Sequence, residues 1–252
     1  MWSITRWVGV NLPCRGPEAP QCALATLWQM ASTAVNPPIL GGRGHRRALV
    51  PPMLFTLGHE SPSLLQIFRE GLKPGAEAGY DGVERDIARR CETLGGPHAY
   101  LGLESLNGAK QVWFLNGYRS REEYDLIAEA YARNTPLMAA LVESSRRKAA
   151  YTHDPHEVFV SRVAGPSTGE PWGLGRGRFA VIAIGAAPGS TSGVRFDAPD
   201  GTAYVWWSAQ TREEADRLVH AAGPTAHLLA LRPDWSLPEP SWTAADPAFW
   251  AR

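Results

Sequence analysis

The feature that most constrains the fold of this chain is a pattern that occurs twice. Val112–Leu115 is an apolar, β-branched and aromatic run, and Ser120-x-x-Glu123 follows it closely. Tyr204–Trp207 is a similar run, followed in the same way by Thr211-x-x-Glu214. Such runs predict strands, and Ser/Thr-x-x-Glu is a capping box, whose hydroxyl and carboxylate bind backbone N–H groups at a helix start. A strand that leads into a capped helix, found twice, predicts two related α+β units on one chain.

Composition limits the class of protein. The chain has 252 residues, 44% hydrophobic and 20% charged, which suits one large globular domain or two small ones. Its formal net charge is zero, so no overall field attracts nucleic acid or an anionic membrane, and we expect neither as a partner. No run approaches the roughly 18 apolar residues of a membrane-spanning helix. Three scattered cysteines do not form a disulfide framework, so we expect a reducing, cytoplasmic location.

Residues 1–52 differ in composition from the rest of the chain. They contain five arginines, seven prolines and one acidic residue, Glu18, and they show no sustained helix or strand period. Three explanations stay open: a targeting peptide, a disordered tail that binds a partner, or sequence upstream of a true start at Met53. We favour the third, because protein-like patterning begins directly after Met53. On this interpretation residues 1–52 are an irregular or disordered extension outside the folded body.

Residues 53–165 alternate strand and helix signals. The predicted strands are Leu64–Leu72, Ala99–Glu104, Gln111–Tyr118 and Glu157–Val163. An apolar stripe from Tyr80 to Leu94 predicts the first helix, and Ser120 and Thr135 are predicted to cap two further helical segments. Asn107-Gly108 predicts a hairpin turn between the second and third strands. The order β-α-β-β-α-β is that of a ferredoxin-like unit, whose antiparallel sheet carries its helices on one face.

A second unit is predicted at 178–252, after a Gly/Pro-rich linker at 166–177. Its order is β-β-β-α-β, since only a loop stands where the first unit has its first helix. Asp200-Gly201 predicts a second hairpin, and Thr211 caps the helix. The tail is rich in aromatic residues, including Trp242 and Trp250, and we expect it to pack on the body because so many aromatic rings need a surface to cover.

This order of elements, over residues 64–232, resembles the dimeric α/β-barrel superfamily in a tandem fused form. The resemblance rests on the strand-to-capped-helix repeat and identifies no specific family. It implies an α+β fold in which two ferredoxin-like units, the second lacking its first helix, pack their antiparallel sheets face to face as an intrachain pseudo-dimer. The whole chain is then expected to be a monomer or a homodimer.

The superfamily includes cofactor-independent monooxygenases, haem-degrading enzymes and chlorite-dismutase-like proteins. Haem degraders use an Asn, a Trp and a His. This chain contains Asn116, Trp113 and His98, but in a different arrangement, so no role is carried over and the cofactor stays unknown. His153-Asp154-Pro155-His156-Glu157 has the residue types of a metal site, yet Asp-Pro turn chemistry favours a solvated loop, and no metal is predicted.

The candidate binding residues lie on the first hairpin. Alternation places Asn116 on the face of Phe114 and Tyr118, opposite Trp113, and a polar amide on an apolar face is typical of a pocket. The predicted ligand-binding residues are His98, Tyr100, Trp113, Asn116 and Tyr118. Two functions stay open. One is a monooxygenase-like protein that binds a small aromatic molecule in a pocket between the sheets. The other is a non-enzymatic ligand-binding or structural protein with a filled barrel.

Overall fold

A computed structural model describes residues 55–58, 61–164, 173–185 and 193–251. The strands are β1 (Leu64–Leu72), β2 (Leu101–Ser105), β3 (Gln111–Tyr118), β4 (Thr152–Arg162), β5 (Phe179–Ile184), β6 (Val194–Asp197), β7 (Ala203–Ala209) and β8 (Ala226–Leu231). The helices are α1 (Glu77–Thr93), α2 (Arg121–Arg133), α3 (Thr135–Lys148), α4 (Arg212–Ala222), α5 (Pro240–Ala245) and α6 (Pro247–Trp250), with a 3₁₀ turn at Pro233–Trp235. None of the helices in these ranges has the length and apolar character that crossing a membrane requires.

The eight strands join edge to edge in a closed barrel. Their order is β1-β3-β2-β8-β5-β7-β6-β4, every pairing is antiparallel, and β4 pairs back with β1. The predicted α+β class with antiparallel strands is therefore confirmed. The strands do not form two separate layers, because hydrogen-bonded ladders join β2 to β8 and β4 to β6. Closure removes the unpaired sheet edges that would otherwise invite aggregation.

The two halves of the barrel repeat one strand order. The first four strands lie in the order β4-β1-β3-β2, and the last four lie in the order β8-β5-β7-β6. Numbered from the first strand of each half, the two orders are identical. The extension predicted at 1–52, most of the predicted linker and residues 186–192 between β5 and β6 lie outside the described ranges, so the domain boundaries stay predictions.

Both predicted capping boxes form at helix starts. Ser120 Oγ accepts a hydrogen bond from the Glu123 amide at 3.2 Å, and Thr211 Oγ1 accepts one from the Glu214 amide at 3.2 Å. The glutamate carboxylates reach one residue further back than predicted, to the N–H of Arg119 at 2.6 Å and that of Gln210 at 2.9 Å. Caps of this kind contribute about 1 kcal/mol each, so they fix where the chain turns from strand into helix.

Two local predictions need correction. The cap of α3 is Asn134, whose side chain accepts from the Leu137 amide at 3.3 Å, so the helix begins one residue earlier than a Thr135 cap implies. The segment His153–Glu157 is part of β4 and pairs with β1, whereas the sequence indicated a loop. Ladder hydrogen bonds with β1 outweigh the local turn preference of Asp-Pro at this position.

The barrel interior is filled by side chains from both halves. On β3 the inward residues include Trp113 and Leu115, which are fully buried in one apolar cluster. Trp242 and Trp250 from the tail belong to the same cluster, and the Trp242 ring lies against Gly175, just before β5. These tryptophans therefore close the end of the barrel at which β5 begins. The expectation that the aromatic tail packs on the body is confirmed.

The helices cover the outer face of the barrel. The apolar cluster between the first half and its helices includes Leu72, Tyr80, Phe114, Leu137 and Leu141. A third cluster joins α4 to the outer face of β5, β7 and β8. Each half therefore has an inner apolar layer and an outer one, and the candidate site lies in the outer layer of the first half.

Candidate functional site

A cavity of about 470 Å³ lies between the outer face of the first-half sheet and helices α1, α2 and α3. Its apolar wall consists of Phe68, Ile87, Phe114, Ile127, Tyr131 and Leu141. The volume is within the usual range for small-molecule sites, and so is the combination of a largely apolar wall with a few polar groups.

Four of the five predicted binding residues line this cavity. They are His98, Tyr100, Asn116 and Tyr118, while Trp113 does not line it. Side chains alternate along β3, so Phe114, Asn116 and Tyr118 face outward to the helices and Trp113 faces the barrel interior. The predicted alternation is thus correct. The predicted location between the sheets is wrong, because the inward face is filled by the core and the open space lies on the helix side.

Tyr100 lines the cavity and has a buried, weakly satisfied hydroxyl. The residue is 9% exposed, and its Oη atom has no nitrogen or oxygen partner among the described residues, although the weakly hydrogen-bonding Cys91 thiol lies beside it. Burial raises the pKa of Tyr100 well above its usual value, so the hydroxyl keeps its proton. A ligand oxygen that reached this hydroxyl would offer it a stronger partner than a thiol does. Asn116 lines the cavity nearby, and its side-chain amide likewise has no hydrogen bond within the described ranges.

A buried ion cluster forms the floor of the cavity. Lys148 Nζ lies 2.7 Å from Glu70 Oε1 and 3.3 Å from Glu84 Oε1, and both carboxylates are about 1% exposed. Tyr80 donates to Glu70 Oε1 at 3.2 Å. The ammonium also lies 5.0 Å from the centre of the Phe114 ring, within cation–π range. The cluster holds charge beneath an apolar wall, where its field is little screened by water.

The pKa values in this cluster follow from burial and from the charges. Burial raises the pKa of the Glu84 carboxyl, although the Lys148 charge opposes the rise. Burial alone would lower the pKa of Lys148, but the charges of Glu84 and Glu70 outweigh it and the pKa ends above its usual value. Lys148 therefore stays protonated. Glu84 Oε1 is buried within ion-pair distance of the ammonium, and the Glu84 carboxyl also interacts with the Tyr80 hydroxyl.

A hydrogen-bonded relay runs along the other side of the cavity. Tyr118 Oη donates to Gln66 Oε1 at 2.8 Å, and Gln66 Nε2 donates to Glu157. His98 stacks on Tyr118 with ring centres 4.8 Å apart, and its Nε2 lies 2.9 Å from the Gly117 carbonyl oxygen. Burial lowers the pKa of His98 to about 4, so the ring is neutral at pH 7 and Nε2 carries the proton that it donates. Nδ1 is then left as an acceptor.

The mouth of the cavity lies at a β-bulge. The register between β1 and β4 shifts between Arg69 and Gly71, where β4 carries an extra residue. Asp154 has a φ of 46°, an unusual left-handed conformation for a residue other than glycine. Exposed Asp154 and Pro155 line the entrance. The exposed lining residues of β4 therefore lie where its register with β1 shifts.

The charged residues at the floor of the cavity, Glu70, Glu84 and Lys148, were not predicted from the sequence. Gln66, Phe68 and Glu70 are spaced by two residues along β1, so alternation alone could have placed them on one face of the strand. Glu84 follows Tyr80 by one helical turn on the buried side of α1, which was a second usable signal. Lys148 ends a run of basic residues that complements the dipole of α3, and nothing local to that run indicates burial. As for metals, no group of three or more His, Cys, Asp or Glu side chains in the described ranges could hold an ion.

The chain matches no protein-family model and no curated protein. It is similar to solved structures at low identity. A protein provisionally named a monooxygenase from Fusobacterium nucleatum subsp. nucleatum has 10% identity and a TM-score of 0.42 over 68% of this chain and 93% of its own. A second protein of the same provisional name, from Lactobacillus acidophilus, has 8% identity and a TM-score of 0.42 over 68% of this chain and 94% of its own.

A mutant chlorite dismutase from Candidatus Nitrospira defluvii, in complex with cyanide, is similar at 10% identity. Its TM-score is 0.41, over 69% of this chain and 92% of its own. A likeness at this level does not transfer an activity, a ligand or a partner to this chain.

Proposed function

We propose that the protein binds a small aromatic molecule bearing a hydroxyl or carbonyl oxygen, in the cavity between the first-half sheet and its helices. The observation that carries the proposal is a cavity of about 470 Å³ whose wall is largely apolar and aromatic, with a few polar residues such as Tyr100 and Asn116 among its lining. An empty cavity of this size lowers the stability of the free protein, because the apolar side chains that line it lose packing contacts, and a bound ring would restore those contacts. We therefore attribute the cavity to a ligand.

The wall and the polar groups fit such a molecule in complementary ways. Phe68, Phe114 and Tyr131 offer aromatic surfaces, on which a flat ring gains both apolar burial and ring–ring contacts. Tyr100 Oη can donate to the ligand oxygen. The Asn116 amide can accept from a ligand hydroxyl. Naphthol, a fused ring pair with one hydroxyl, is a suitable probe.

Calorimetric titration with naphthol tests the proposal. We expect one site per chain, and we expect Tyr100→Phe to weaken naphthol binding by about threefold to tenfold, the value of one neutral hydrogen bond. Naphthalene, which lacks the hydroxyl, should bind the wild type and Tyr100→Phe equally. The matched control is Tyr204→Phe, which deletes a hydroxyl inside the barrel and should leave naphthol affinity unchanged.

A second pair of variants tests the location. Ala128 lines the cavity from α2, whereas Ala130 on the same helix does not. Ala128→Leu should fill the cavity and abolish naphthol binding, and Ala130→Leu should preserve it. Asn116→Ala should also weaken binding with little loss of stability. The proposal fails if naphthol does not bind, or if it binds Tyr100→Phe, Asn116→Ala and Ala128→Leu as tightly as the wild type.

A monooxygenase-like oxidation of such a ligand is the second candidate function. The observation that favours it is the grouping of perturbed ionisable side chains at the cavity, with a neutral His98 and a Glu84 of raised pKa. His98 Nδ1 could accept a hydrogen bond from a bound quinol and orient it. Oxygen uptake with a naphthalene quinol, compared between wild type and His98→Gln, tests this. Equal, uncatalysed rates with both proteins would leave ligand binding as the function.

We further infer that the barrel is a fused pair of ferredoxin-like units, an intrachain pseudo-dimer. The repeated strand order supports this, and so does the recurrence of a capped helix after the third strand of each half. The assignment of residues 53–165 and 178–252 as the two units, with 166–177 as their linker, is part of the same proposal.

A further inference from the structure

A polar cluster occupies the end of the barrel opposite the tail tryptophans. Its members lie on the inward face of five strands, with His156 exposed at the rim, and they are Arg69, Trp113, His156, Tyr204 and His227. Each lies two residues from an inward apolar residue on its own strand, as Arg69 does from Ile67, and so faces the same way. Arg69 is the register partner of Trp113 on β3 and of His156 on β4, so the three side chains lie side by side.

Donors dominate this cluster. The Arg69 guanidinium lies 5.3 Å from the centre of the Trp113 ring, and the His227 ring lies 5.0 Å from the same ring. Trp113 is fully buried, and its Nε1 has no hydrogen-bond partner among the described residues. Arg69 forms no ion pair with any carboxylate of the described ranges. A buried N–H and a half-buried guanidinium are thus adjacent with nothing to accept from them.

The pKa values of the neighbouring side chains show that positive charge is in excess in this cluster. Burial and the Arg69 charge lower the pKa of His156, and the same two causes lower the pKa of His227. Burial raises the pKa of Tyr204, so its hydroxyl stays neutral. Among the described groups the opposing charge is Asp200 in the β6–β7 turn, whose carboxylate acts on His156 and Tyr204 from an exposed position.

We propose that this end of the barrel binds a small oxyanion, a carboxylate or phosphate group, held by Arg69 together with His156 and His227. A guanidinium binds two oxygens of such a group at once, and stacking on Trp113 holds its plane fixed. The two imidazoles add donors on either side, from β4 and β8. An anion would also raise the proton affinity of both histidines, so binding is coupled to proton uptake. This site is separate from the ligand cavity, because Arg69 and Trp113 face inward while the cavity residues of the same strands face outward.

Nuclear magnetic resonance of the histidine rings tests the anion site. Inorganic phosphate and acetate are titrated separately into the full chain at constant ionic strength, with His156→Gln and His227→Gln used to assign the signals. We expect saturable shifts of both histidines, with affinities in the millimolar range. A stronger response to phosphate than to acetate would identify a phosphate group as the preferred oxyanion, and the reverse would identify a carboxylate.

Arg69→Met keeps an apolar stem against Trp113 and removes the charge, so it should weaken anion binding at least tenfold. The matched control is Arg121→Met, since Arg121 also stacks on aromatic rings, 4.6 Å from the centre of Tyr124, but on α2. His227→Gln is the second variant if Arg69→Met does not fold, and it should weaken binding several-fold. Unsaturable shifts, or shifts that persist unchanged in Arg69→Met or His227→Gln, would overturn the proposal.

Discussion

The buried His98 should make the stability of the protein fall steeply in mildly acidic solution. The side chain is 5% exposed, and burial lowers its pKa to about 4 from the usual value of 6.5, against the opposing hydrogen bond to Gly117. The unfolded chain binds a proton at His98 below about pH 6.5, whereas the folded chain binds one only near pH 4.

The magnitude follows from that difference. A pKa difference of 2.5, from 6.5 to about 4, corresponds to about 3 kcal/mol at about 1.4 kcal/mol per unit. Because the folded pKa is depressed, the unfolded state binds more protons throughout this window. The stability contributed by neutral His98 is therefore complete above pH 6.5 and is lost progressively as the pH falls towards 4.

Urea unfolding at a series of pH values checks this, with His98→Gln as the comparison. Glutamine can donate to the Gly117 carbonyl but does not titrate. Carboxylates titrate in both proteins and cancel in the difference. We expect the free energy of unfolding of the wild type to fall about 3 kcal/mol further than that of the variant between pH 6.5 and 4. Parallel loss of stability in the two proteins would refute the reasoning, as would a measured His98 pKa near 6.5.

Three further predictions concern stability. Lys148→Met should cost about 3 to 5 kcal/mol in urea unfolding, since it leaves the buried carboxylates of Glu70 and Glu84 without a counter-charge, and a cost near zero would contradict a charged floor. Gly102→Ala should cost about 1 to 3 kcal/mol, because a Cβ there would lie 2.7 Å from Trp235 Cβ. The control is Gly82→Ala on α1, where a Cβ meets no atom within 4 Å, and it should stabilise the protein by about 0.5 to 1 kcal/mol. Equal effects of the two substitutions would show that the tail does not pack as described. Removal of residues 1–52 should leave the melting temperature unchanged, and a drop of several degrees would show that this extension packs on the body.

The elements of the fold were predictable where local chemistry decides them. The bounds of β1 and β3 agree with prediction, and both hairpin turns form with Gly108 and Gly201 at positive φ. Ser120 and Thr211 cap helices because a hydroxyl at that spacing satisfies a backbone N–H whatever the tertiary context. Barrel closure could not be predicted in this way, because it depends on which strand edges meet and no local pattern specifies this.

The candidate site was only partly predictable for a related reason. Alternation groups Asn116 with Tyr118 but does not say whether that face meets the helices or the barrel interior. Lys148 lies in a run of basic residues that is typical of a solvated helix end, and its burial results from the packing of α3 against α1 and β1. His156 lies in a segment with strong turn residues, so its inward position on β4 was hidden from the sequence. In each case the deciding interaction joins residues far apart in the chain.

A crystal structure of the naphthol complex tests the central claim most directly. We expect the naphthol ring system to lie between Phe114 and Tyr131, with its oxygen about 3 Å from Tyr100 Oη. We expect the barrel core to be unchanged. Naphthol bound in the barrel interior or on the outer surface, with the cavity beside Tyr100 holding only solvent, would contradict it.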